Sequence, residues 1–172
     1  MSRRALLLIG LIVVLLATSA AAALASPLAE PNPNAALADV RAATAAFHDP
    51  EAAKAAGWDL VPGLDYCFNK PGVGAMGFHY INVGLLDLEV DAAAPEAMVY
   101  EPTDNGRLKL AAVEYIVPAA AWDAAGNTAL PSLYGRSFHL NAALGVYVLH
   151  AWIWKPNPAG IFEDYNPDVS CP

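Results

Sequence analysis

Hydrophobic and polar positions follow different periods in different parts of this chain. From Asn34, apolar positions recur at helical spacing through Leu37, Val40, Thr44 and Phe47, which predicts an amphipathic helix capped by Asn34. Asp49, Pro50 and Glu51 then restart a short helix, with Asp49 as its cap, Pro50 in its first turn and Gly57 as its stop. Alanine dominates both segments, which favours helix on propensity alone. Between Trp58 and Gly77 the period disappears, and prolines and glycines predict loop. Beyond Gly77 short β-branched and aromatic runs predict strands at 78–83, 97–101, 108–117 and 147–154. Asp104, Asn105 and Gly106 lie between the second and third runs and predict a hairpin. Residues 118–146 read as a long irregular connection with room for one or two short strands, for instance near Ser137–Leu140. The expected fold is therefore α+β: two N-terminal helices, then a mainly antiparallel sheet that can curl into a small barrel.

The first residues follow another rule. Arg3 and Arg4 precede a charge-free apolar run from Ala5 to Leu16, then small residues up to Ala25, with Ala23-Leu24-Ala25 as an A-x-A cleavage site. This layout predicts a secretory signal peptide over 1–25, most simply of the Sec type, although the arginine pair also resembles a twin-arginine signal. An uncleaved signal would be the chain's one route to a membrane. Residues 26–33 carry three prolines and no period, a lead into a single domain over 34–172. The expected location is periplasmic or extracellular.

Charge narrows the partners. The 172 residues hold 9 Lys+Arg against 17 Asp+Glu, a net charge of −8, and removal of the signal makes the balance more acidic. A nucleic-acid binder needs a basic face, so that class is excluded, while a small-molecule ligand stays open. The oligomeric state is not legible. Two cysteines in an exported chain, Cys67 and Cys171, predict one disulfide tying the end of the chain to the region before the first strand. Glu163, Asp164 and Asp168 lack the spacing of a calcium loop and read as a solvated acidic tail. Trp152 and Trp154 alternate on a strand and read as core.

Strand alternation also isolates three ionisable groups. Glu114 shares a row with Leu108, Leu110, Ala112 and Ile116; His79 shares one with Ile81 and Val83; His150 shares one with Val148, Trp152 and Trp154. Ionisable groups on apolar faces are costly unless they are paired, neutralised or bound to metal. Two imidazoles and a carboxylate suit one divalent transition metal (Zn, Cu, Fe or Mn), with His139 or Glu101 as a candidate extra ligand. Glu114 would then be a ligand or a general base. Two other readings stay open: a metal-free acid–base lyase or isomerase using Glu114, and a non-catalytic envelope or interaction protein with a structural His–Glu pair. His48, at the end of the first helix, fits a favourable interaction with the helix dipole.

Several blocks resemble a widespread, uncharacterised family of bacterial exported proteins: GAMGFHYIN over 74–82, VYEP over 99–102, VEYIVP over 113–118 and LHAWIW over 149–154. Asn157–Gly160, Asn166, Pro167 and Cys171 continue the likeness, as do Ala43, Thr44, Phe47, Ala52, Gly57 and Trp58. The resemblance spans nearly all of the chain after residue 25 and brings no activity. It implies that His79, Glu114 and His150 fall inside the recognisable blocks, and that His48 and His139 fall outside them.

Overall fold

A computed structural model describes residues 33–172; the predicted signal peptide and nearly all of the proline-rich lead lie outside them. Helix α1 runs Pro33–Thr44, so Asn34 lies in its first turn and is not its cap. A 3-10 turn, Ala45–His48, leads to Asp49, whose carboxylate accepts the Glu51 N–H at 3.0 Å and caps α2 (Pro50–Ala55). Gly57 ends this region with φ +106°, a conformation glycine adopts without strain.

The strands are β1 (Asp59–Leu60), β2 (Phe68–Lys70), β3 (Gly74–Ile81), β4 (Ala97–Pro102) and β5 (Leu108–Pro118). Then come α3 (Ala119–Ala124), β6 (Ser132–Leu133), β7 (Arg136–Ser137), β8 (His139–Asn141) and β9 (Val146–Ala151). The main sheet is antiparallel in the order β1-β3-β4-β5-β9-β8, with β2 also on β3, while β6 and β7 form a separate hairpin. The architecture is α+β, with no closed barrel among the described residues. Its outer strands, β1 and β8, are two and three residues long and do not pair with each other. The predicted loop at 58–77 contains β1 and β2, and the 118–146 connection contains α3 as well as short strands.

One sheet face packs against the helices. Tyr80, Met98, Tyr100, Val113, Tyr115 and Leu149 form its core with Leu37, Val40 and Ala53. Burial of such side chains stabilises the fold by about 1.5–3 kcal/mol each. Polar contacts fix the helical layer: Arg41 Nε donates to the Ile153 carbonyl at 2.9 Å, and the Tyr100 hydroxyl donates to the Phe47 carbonyl at 2.6 Å.

The opposite face holds two apolar clusters. Val99, Ala112 and Trp152 pack with Ala75 and Val169, and Ala97, Ile116 and Val148 form the second group. The C-terminal segment lies over the first cluster, where Asn166 and Ala75 exchange backbone hydrogen bonds of 3.0 and 3.1 Å. At Gly74 a Cβ would run into the Asn166 carbonyl, so this approach requires glycine. The predicted disulfide is present: Cys67 and Cys171 are joined with Cα atoms 5.7 Å apart, tying the chain end to the start of β2. Among the described residues no helix is long and apolar enough to cross a membrane.

A bulge corrects one expected row. Val99 pairs with Ala112, but Tyr100 pairs with Leu110, leaving Ala111 as an extra residue in β5. The bulge shifts the alternation by one, so Leu110 joins the helix-side core and Glu114 stays on the opposite face with Ala112. Trp154 also leaves the expected row, because β9 ends at Ala151 and the chain turns; its indole donates to Thr44 Oγ1 at 3.1 Å.

Candidate metal centre in the sheet

Glu114 and His150 face each other directly across β5 and β9. His79 comes from β3, where it pairs with Val99 of β4. Three strand spacings, about 14 Å, separate β3 from β9 in a flat sheet. The His79 and His150 rings nevertheless have centroids 5.6 Å apart. The two side chains therefore approach each other across β4 and β5 on this face. The three groups sit in the gap between the two apolar clusters.

His79 Nε2 lies 3.4 Å from Glu114 Oε2, and the three residues offer ligand atoms all within 4.8 Å of one another. All three are buried, and His150 has no exposed surface. Trp152 stacks flat on the His150 ring, with planes 6° apart and centroids separated by 5.3 Å. Phe68 meets the His79 ring edge-on at 4.8 Å. These aromatic walls hold both imidazoles but satisfy none of their nitrogens. His79 Nδ1 and both nitrogens of His150 have no hydrogen-bond partner among the described residues.

Burial drives each group towards its neutral form. It pushes the Glu114 carboxyl up to about 8, helped by the negative charge of Asp164 and Glu96. It pushes His79 down to about 4, with the Gly77 backbone opposing weakly. His150 falls well below its ordinary value through burial and the neighbouring His79 and His139. Burial therefore favours an uncharged cation-free triad in which Glu114 holds its proton.

A cleft of about 530 Å³ opens onto this cluster, with His79 and Glu114 in its wall. Phe68, Leu86, Ile116 and Leu140 line it, and His139 and Asp164 stand among its polar groups. His150 lies behind that wall.

The two extra candidate ligands fall elsewhere. His139 Nε2 is 3.1 Å from Asp164 Oδ2, half-exposed in the cleft. Glu101 pairs with Lys155 at 2.8 Å and Lys109 at 3.9 Å. Neither belongs to the three-residue cluster. Asp164 is itself a correction, since the expected acidic tail is here a partly buried group whose carboxyl is raised by desolvation. His48 is exposed and meets the Trp154 ring edge-on at 4.3 Å.

Sequence reasoning also missed Glu96. It is buried, accepts the Ile116 N–H at 2.9 Å, and burial raises its carboxyl to about 7. Its one signal was an acid immediately before an apolar strand. The chain matches no protein-family profile, no curated protein and no solved structure.

Proposed function

We propose that His79, Glu114 and His150 bind one divalent transition metal in an exported protein, with the open side of the metal facing the cleft. The unpaired nitrogens carry this reading. A buried polar atom without a partner costs about 1–3 kcal/mol, and His150 holds two such nitrogens, in a cluster whose ligand atoms lie within 4.8 Å of one another. A purely structural His–Glu pair would leave both His150 nitrogens without a partner, whereas a metal would take one of them. Two imidazoles and a carboxylate suit Zn, Cu, Fe or Mn. Ligand atoms around a four-coordinate zinc lie about 3.3 Å apart, so binding would draw the outermost pair together from 4.8 Å by about 1–2 Å. Three protein ligands leave a coordination position for water or a ligand, the arrangement on which metal-assisted chemistry depends. The disulfide fits an oxidising compartment, which supports the exported location.

A second reading has its own observation. The protonated carboxyl of Glu114 in the cleft wall suits a metal-free general acid. Elemental analysis of untagged protein purified without chelators separates the readings, with the His79→Ala/His150→Ala variant alongside. Near-stoichiometric metal in the wild type and none in the folded variant is the expected result. Metal-free protein whose melting ignores added Zn, Cu, Fe and Mn would overturn it. The general acid, or a non-catalytic interaction protein, would then be the better account.

A further inference from the structure

We propose that the cleft above the triad takes a monoanionic amphiphile head first, its carboxylate on the metal and its aliphatic tail against the leucines of the rim. This rests on the metal reading above. A volume of about 530 Å³ falls within the range of about 300–1,000 Å³ typical of small-molecule sites. Two of the cleft's ionisable groups, His79 and Glu114, are buried, whereas Leu86, Leu140 and Leu144 line it and remain exposed to solvent. Leu140 is 52% exposed and Leu144 46%, although both stand beside a concave surface that could cover them. Exposed apolar groups around a cleft are a recurring mark of a binding surface.

Charge selects the head group. A dication held by two neutral imidazoles and the Glu114 carboxylate would retain one positive charge among buried side chains. An uncompensated buried charge is costly, and a single anion entering from the cleft balances it. Lys70 is the one Lys or Arg side chain in the cleft wall and adds to the attraction for an anion. The carboxylate of Asp164 also lines the cleft and opposes it. With the head fixed on the metal, a short aliphatic tail runs outward over Leu140 and Leu144. An acid without a tail leaves those leucines wet, and an alcohol with the same tail leaves the metal charge unbalanced.

The test is calorimetric titration of the Zn²⁺-loaded full chain with octanoate, acetate and 1-octanol, after a Zn²⁺ titration of the apo protein. Octanoate is expected to bind at least about tenfold more tightly than either comparison compound. The Leu140→Ser/Leu144→Ser variant, which leaves the charge of the cleft unchanged, is expected to keep its Zn²⁺ affinity and lose about tenfold in octanoate affinity. Equal binding of acetate would remove the tail from the account, and equal binding of 1-octanol would remove the metal-anchored head. Unchanged octanoate affinity in the variant would also overturn the proposal. If Zn²⁺ does not bind, the titration is run on the Cu²⁺, Fe²⁺ or Mn²⁺ form, and failure of all four would sink the metal reading and this inference together. Zn²⁺ binding without octanoate binding would sink this inference alone.

Discussion

At Glu114, burial favours the protonated carboxyl, which holds to about pH 8. Glutamine has nearly the same shape and is neutral at every pH. Glu114→Gln should therefore change the stability of cation-free protein at pH 7 by less than about 1.5 kcal/mol, the range of a shape-conserving swap. Metal binding needs the anion, so the same variant should lose at least about a hundredfold in Zn²⁺ affinity. Thermal melts with chelator, paired with Zn²⁺ titration, read the two effects separately. A variant that melts far below wild type in chelator would show instead that Glu114 serves the fold. Retained Zn²⁺ affinity would remove the carboxylate from the ligand set. His150 owes its position to packing, since Trp152 stacks on its ring while its nitrogens stay unpaired.

At the scale of elements, the disulfide ties the site to the chain end. Cys67 adjoins Phe68, whose ring meets His79 edge-on, and Cys171 ends the segment that covers Ala75 and Val99. The two cysteines are 104 residues apart, and closing a loop of that size contributes about 2–5 kcal/mol. Cys67→Ser/Cys171→Ser should lower the denaturation free energy by that order and weaken Zn²⁺ binding as Phe68 loosens. An unchanged urea midpoint would refute the first part. This bridge was legible because two cysteines allow one pairing. The Asp49 cap and the hairpin at Asp104–Gly106 were legible because their signals are local. Alternation placed Glu114 on the correct face, since Ala112, Glu114 and Ile116 follow the bulge. It misplaced Leu110, because nothing in the residues announces the extra Ala111. Strands β1 and β2 are too short to show a period, and α3 is a six-residue alanine-rich turn beside Pro118. The cleft was not legible, because Leu86, Leu140 and Asp164 meet only through tertiary contacts.

For the whole molecule, the buried ionisable groups make stability depend on pH, and a metal should reverse part of that dependence. Glu96 and Glu114 are raised from 4.5 to about 7 and about 8, so between those limits the folded chain holds protons that the unfolded chain releases. Their contribution is full below about pH 4.5 and is lost as pH rises to 8. His79 is lowered from 6.5 to about 4 and His150 further, so below pH 6.5 the unfolded chain binds protons that the folded chain refuses. That contribution is lost as pH falls from 6.5 towards 4. The two effects oppose each other between pH 4.5 and 6.5, while above 6.5 the carboxyls act alone. Chelator-treated protein should therefore lose melting temperature from pH 6.5 to 8. A cation takes the Glu114 anion and two neutral imidazoles, so loading becomes easier over the same window as the competing proton leaves. Saturating Zn²⁺ adds stability according to its affinity, and that increment should grow with pH. The gap in melting temperature between loaded and chelated protein is thus expected to widen from pH 6.5 to 8. A structural pair gives the same alkaline decline with no gap at any pH, so melts at four pH values, with and without Zn²⁺, separate a metal centre from a core that merely tolerates its histidines.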